Sequence, residues 1–161
     1  MNRQSAEKQI RKYITEFGKK FNASIEELNS IAMKESSRDP YIGLHPDGVS
    51  YGLMGITNDV EKEYRTYNGE FLDRENLKDN IKLSAWYWGE RIPQMIEYFG
   101  AKNTLRNRVI AYNAGISYVV NGNEIPERTK GYIQHMQEGK KKTLISTVLA
   151  LLLGFFGLSR I

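Results

Sequence analysis

The sequence predicts a mainly helical α+β domain with a small β-hairpin region, followed by one C-terminal transmembrane helix. Three observations predict it. Apolar residues recur at helical spacing in several separate segments, and a glycine-rich stretch between them holds two short β-prone pieces. Residues 143–159, TLISTVLALLLGFFGLS, are almost wholly apolar and carry no charge.

In chain order, Ile10, Tyr13, Ile14, Phe17 and Phe21 fall on one face of a first helix. Ser24, followed three residues on by Glu27, reads as a capping box, and Ile25, Leu28, Ile31 and Ala32 carry the stripe of a second. The stretch GLHPDGVSYGLMGITND comes next, a loop with a hairpin expected from residues 49–51 and 53–57. Asp73 is expected to cap a third helix, with Leu77, Ile81, Ala85 and Trp88 on one face and Pro93 near its end. A fourth runs from Asn103 through Leu105, Val109 and Tyr112 until Gly115 stops it. A further helix begins near Pro126 and carries Tyr132, Ile133 and Met136.

Residues 143–159 fit the short end of the roughly 17–25 residues that a span needs. A segment apolar on every face is not an ordinary surface helix, so a membrane span is expected there. The organisation expected is a domain over 1–139, a basic collar over 140–142 and the span over 143–159. The first residues, MNRQSAEKQIRKY, lack the apolar core of a cleavable secretory signal.

Composition narrows the chemistry. With 161 residues the chain has the size of one domain, and 40% hydrophobic with 26% charged residues is ordinary for a globular one. Its 10 tyrosines supply flat apolar faces with a hydroxyl, a combination suited to sugars. Lys+Arg 23 against Asp+Glu 19 leaves a net +4, and no basic run interleaved with aromatics appears, so nucleic acid is not expected as a partner. The chain has no cysteine, hence no disulfide, thiol nucleophile or thiolate metal site. Its two histidines, His45 and His135, lie far apart, so no metal site is expected. No cofactor is expected.

Glu35 is the residue out of pattern. It follows Leu28 by seven positions, Ile31 by four and Ala32 by three, so it projects along the apolar stripe of the second helix. It also sits in the last turn, because Asp39-Pro40 ends the helix soon after. The negative end of the helix dipole and partial desolvation both disfavour the ionised form. Such a carboxylic acid stays protonated near neutral pH and can donate to a leaving group. The competing reading is a glutamate that turns to solvent or pairs with Lys34 or Arg38.

Four short motifs lie in order along the chain: KES at the end of the second helix, then GVSYGLMGIT, then AYNAG, then GYIQHM. Together, over about residues 25–136, they resemble the catalytic domain of the soluble lytic transglycosylases, the goose-type-lysozyme-like branch of the lysozyme superfamily. The resemblance implies a lysozyme-like fold and cleavage of the MurNAc to GlcNAc β-1,4 bond of peptidoglycan glycan strands. Glu35 would be the catalytic residue, first giving a proton to the glycosidic oxygen and then taking one from the muramyl 6-hydroxyl. The product is a 1,6-anhydromuramyl end.

By the same resemblance Ser36 supports the active-site loop, and Gly52, Leu53 and Met54 line the cleft. Tyr112 and Asn113 meet the substrate near Glu35, and Tyr132 matches the late tyrosine that bonds the catalytic region. Core packing is the competing role for Leu53 and Tyr112, and a helix C-cap for Asn113. The family run continues with glutamine where this chain has Gly55, so a substrate-facing amide is missing.

Hydrolysis is the nearest rival chemistry and needs a second carboxylate within about 5–9.5 Å of the first. Asp47 and Asp59 flank the Gly-Leu-Met run, Asp47 reading as a turn residue and Asp59 as a helix cap. A non-catalytic, membrane-anchored wall-binding or structural subunit is the alternative from another class.

Lys140, Lys141 and Lys142 before the apolar segment place the domain on the cytoplasmic side by the positive-inside tendency, away from peptidoglycan. A membrane-containing bacteriophage would resolve that conflict. The expectation is therefore a single-pass protein of a virion inner membrane, acting on the wall during infection with other virion or membrane proteins as partners. A bacterial inner membrane is the alternative.

Overall fold

The computed structural model describes residues 2–157. The first helix, α1 (Arg3–Lys20), starts where Asn2 accepts a hydrogen bond from the Ser5 amide at 2.8 Å. It buries Ala6, Ile10, Ile14, Phe17 and Gly18. Tyr13, one position off that stripe, is half-buried.

Helix α2 (Ile25–Ser36) begins at Ser24, whose hydroxyl accepts from the Glu27 amide at 3.3 Å. The box is only half formed, because the Glu27 side chain turns inward and is 3% exposed. There it accepts from Trp88 Nε1 at 2.8 Å and meets Arg108 at 3.1 Å and Lys140 at 2.8 Å. One carboxylate thus ties α2 to three later parts of the chain, and the paired cations offset the cost of burying it.

Helix α3 (Asn58–Asn68) was foreseen only as a cap at Asp59; Gly69, in the left-handed region at φ 68°, ends it. Helix α4 (Leu77–Trp86) is capped by Asn76, which accepts from the amides of Lys78 and Asp79. Asp73 instead closes the turn before it, accepting from the Glu75 amide at 2.9 Å. The run continues through a π-helical turn, Tyr87–Arg91, into α5 (Ile92–Tyr98). In that wider turn the Ile92 amide reaches back to the Tyr87 carbonyl, and Pro93, which has no amide hydrogen to give, opens α5 rather than ending the run. Helices α6 (Leu105–Ala114), α7 (Ile116–Val120) and α8 (Glu127–Gly157) complete the described chain.

The core closes where the end of α1 meets the π-helical turn. A Cβ on Gly89 would lie 2.1 Å from the Phe21 carbonyl oxygen and 3.0 Å from Ala23. Gly89→Ala is therefore expected to lower stability by at least about 1–3 kcal/mol, read as a shift of the urea midpoint.

Two expectations are corrected here. The hairpin is absent among the described residues: the chain makes only the isolated antiparallel bridges Leu44 to Tyr51 and Tyr51 to Ile56. Gly52 and Gly55, at φ 73° and 63°, fold residues 51–56 into a tight turn closed by reciprocal Tyr51 and Ile56 backbone bonds of 2.9 and 3.0 Å. The chain reverses before either arm can extend.

The transmembrane helix is likewise not found, since no helix among the described residues is long and apolar enough to cross a membrane. Residues 143–157 are the last part of α8, continuous with a charged first half that includes Lys140, Lys141 and Lys142, and this uncharged part is shorter than a span requires. Residues 158 and 159 of the expected span lie outside the described residues. The single-pass membrane localisation is corrected with it, and so is the virion-membrane setting that rested on the anchor.

Candidate active site

Glu35 stands in the last turn of α2, half-buried. That turn closes without glycine: Ser37 and Arg38 both adopt left-handed backbone, at φ 53° and 59°. Their amides bond the carbonyls of Met33 and Ala32 at 3.0 and 3.1 Å, which satisfies the helix end. The same closure leaves Glu35 facing the tight turn at residues 51–56.

Its carboxyl packs directly on Gly55. A Cβ there would lie 2.6 Å from Glu35 Oε2 and 2.9 Å from Cδ. Burial pushes the Glu35 pKa above the ordinary value; Tyr132 and His45 pull it back in part, while Asp47 adds to the rise. The Tyr132 hydroxyl is buried without a hydrogen bond of full geometry, yet close enough to Glu35 to favour its ionised form. Burial, and then the Glu35 charge, hold the Tyr132 and Tyr112 hydroxyls well above the ordinary tyrosine range, so both stay neutral donors.

The turn beneath Glu35 is clamped from two sides. Asn80, 1% exposed, accepts from the Met54 amide at 2.9 Å and donates to the carbonyls of Tyr51 at 2.9 Å and Arg74 at 2.8 Å. Gly52 has no room for a Cβ, which would lie 2.6 Å from the Asn80 amide nitrogen. From the other side the Tyr112 hydroxyl donates to the Met54 carbonyl at 2.7 Å and lies 3.0 Å from the Ser84 hydroxyl. Tyr112 in turn packs against Trp88, Tyr87 and Tyr132, with ring centroids 5.7, 5.9 and 6.5 Å away. Asn80→Ala is expected to cost about 3 kcal/mol, because it strands the buried Met54 amide, and to lower kcat through the loosened turn; denaturant unfolding and turnover measure the two effects.

The other expected site residues fall as follows. Ser36 is buried, and its hydroxyl donates to the Ala32 carbonyl at 2.9 Å within its own helix. Leu53 and Met54 are at most 1% exposed and belong to the core, so a ligand over this turn meets backbone. Asn113 accepts the Thr129 hydroxyl at 2.6 Å, which ties α6 to α8, and its amide nitrogen has no partner among the described residues. Asp47 is a turn residue that accepts from the Val49 and Ser50 amides and the Ser50 hydroxyl. Burial alone would raise it, but those three bonds outweigh burial and hold it at about 2. Asp59 is not the cap of α3; Thr57 holds that position, and Asp59 lies in the first turn.

Beside Gly55 a cavity of about 280 Å³ opens between α3 and α6, lined among others by Asp59, Glu63, Tyr87, Tyr112 and Asn113. Glu63 is held by Arg91 at 2.6 Å, and burial, then Glu63, push Tyr87 up to about 12. Asn80, Ser84, Tyr87 and Thr129 were not foreseen as site residues. For Asn80 a signal existed, a polar residue placed three after Leu77 and next to Ile81 on a buried stretch of helix. His45 is buried, and its Nε2 lies 2.8 Å from the Gly52 carbonyl, so that nitrogen carries the hydrogen.

The structure thus sets one half-buried glutamate at a helix end over a glycine turn, beside two neutral tyrosines and an open cavity. The family model described as Transglycosylase SLT domain matches residues 12–134, from within α1 to within α8, and the chain belongs to that family. It is thus a lysozyme-like domain of the lytic transglycosylase type, directed at peptidoglycan. No curated protein matches the chain.

Proposed function

We propose that this protein is a lytic transglycosylase that cuts the MurNAc to GlcNAc β-1,4 bond with Glu35 as its single acid and base. The observation that carries the reading is the Glu35 carboxyl itself, held above its ordinary pKa by burial and seated on Gly55 beside Tyr132. Protonated, it gives its proton to the glycosidic oxygen as the bond from C1 breaks. The resulting carboxylate takes the proton of the muramyl 6-hydroxyl while O6 bonds to C1. Glu35 ends protonated as it began, no water is consumed, and no cofactor is needed.

In this reading the backbone of residues 52–55 forms the floor under the sugar, with the Leu53 and Met54 side chains fixing it from below. Tyr112 and Tyr132 set the positions of that floor and of Glu35, Ser36 braces the end of α2, and the free amide nitrogen of Asn113 is left to meet a sugar oxygen.

The test is mass spectrometry of muropeptides released from purified peptidoglycan by the full chain, with Glu35→Gln alongside. Products lighter by one water than reducing ends, absent with the variant, are expected. One observation favours a second reading, hydrolysis: Asp47, held at about 2, is an ionised carboxylate that acts on Glu35 electrostatically and could activate a water. Reducing-end products abolished by Asp47→Asn would establish it. No products from the wild-type chain would favour a wall-binding module.

A further inference from the structure

A second groove, of about 780 Å³, lies between the first turns of α1 and the end of α2, outside the cleft. It is lined by four cations, Arg3, Lys8, Arg11 and Arg38, and by a single acid, Glu7. That acid is already shared: Arg38 holds it at 2.8 Å and Arg11 at 3.3 Å. Arg3 and Lys8 have no ion pair among the described residues. The groove therefore carries an excess of positive charge, while Met33, 47% exposed, and Pro40 give it an apolar side.

Its wall is continuous with the helix end that carries the acid. Arg38 lies three residues after Glu35, and its left-handed backbone is one that a non-glycine residue adopts only where its surroundings hold it there. The hold comes from its guanidinium, which bonds Glu7 of α1 and Asn29 of α2. A ligand seated in the groove is thus registered against the helix end that presents Glu35.

We infer that this groove holds the peptide branches of peptidoglycan, extended chains that bear carboxylates and short apolar side chains. The inference rests on the peptidoglycan-cleaving reading. A groove with cations around methionine and proline matches such a branch on both counts, carboxylates to the arginines and lysine, methyl groups to Met33 and Pro40. A branch leaves the glycan next to the bond being cut, so a site for it belongs a few residues from the acid, where Arg38 and Pro40 stand.

The test uses the full chain carrying Arg3→Gln, Lys8→Gln and Arg11→Gln together. All three are exposed residues at a distance from Glu35 in sequence, and circular dichroism melting checks the fold. On peptide-bearing peptidoglycan freed of phosphate-containing polymers, the triple variant is expected to raise KM about three- to tenfold, more at low salt than at high. On glycan strands stripped of peptide by an amidase it should match the wild type. Equal KM values on both substrates, or an equal rise on both, would overturn the inference. A rise seen only before the phosphate polymers are removed would assign the groove to a phosphodiester and overturn it too. Co-sedimentation of Glu35→Gln, with and without the triple change, on the same polymers reads the groove without any cutting. If the wild-type chain cleaves neither polymer, the cleavage reading fails, and this binding comparison still decides on the groove.

Discussion

Glu35→Gln is expected to abolish peptidoglycan cleavage, with kcat lowered by about 10²–10⁴-fold, and to leave the fold intact. The amide keeps the shape of the carboxyl and its seat on Gly55 but has no proton to give and no charge with which to take one back. Stability should move the other way. A carboxyl whose folded pKa is raised above the unfolded value of 4.5 favours the native state only when protonated. The wild-type protein therefore loses stability as pH rises through 4.5 and on through the raised folded value, and the variant is spared that loss. At neutral pH the melting temperature of Glu35→Gln should equal or exceed that of the wild type. Cleavage that persists in a folded Glu35→Gln protein would remove Glu35 from the chemistry.

The same shift sets the pH profile. Cleavage that begins with proton donation should decline as pH rises through the Glu35 pKa, with a midpoint above 4.5 in kcat/KM. A second, acidic limb near 2 would bring in Asp47, whose pKa is about 2, and with it hydrolysis. Activity that persists unchanged well above neutral pH would contradict an acid role for Glu35.

What could be read from the sequence divides along physical lines. The periodicity of Ile10, Ile14 and Phe17, and of Leu28, Ile31 and Ala32, located α1 and α2 because those residues are buried for the reason that produces the pattern. Glu35 stood out for the same reason, as a charge on a stripe. Of helix α3 only a cap at Asp59 was legible, because only Val60 and Tyr64 of it are buried, too few to mark a face. The hairpin was misread because Leu53 and Ile56 are there for burial in a tight turn, and the positive φ of Gly52 and Gly55 is a backbone property that residue type permits without requiring. Glu27 was misread as half of a reciprocal cap, since its partners Trp88, Arg108 and Lys140 come from distant parts of the chain. Apolar content alone suggested a span for residues 143–159, whereas those of them within α8 continue a helix whose start is charged.

Gly55→Ala is expected to be nearly as damaging to catalysis as the loss of Glu35, by displacing it. Oε2, Cδ and Cγ of Glu35 lie 2.6, 2.9 and 3.1 Å from where the new Cβ would sit, so the whole carboxyl group must move. Tyr132 stands beside that carboxyl and restricts where it can go. A misplacement near 1 Å costs about 10²-fold in kcat, and the left-handed backbone at φ 63° adds roughly 1–2 kcal/mol of instability. Gly48→Ala separates the two effects, because Gly48 shares the loop and a positive φ of 73° but has nothing within 4 Å of the added Cβ. Both variants should lose similar stability, and only Gly55→Ala should lose turnover. If Gly55→Ala keeps the kcat of Gly48→Ala, the position of Glu35 against Gly55 is not the one that does chemistry. If it falls as expected, the seat of Glu35 is what requires glycine at this position: the space a side chain would fill is taken by the acid itself.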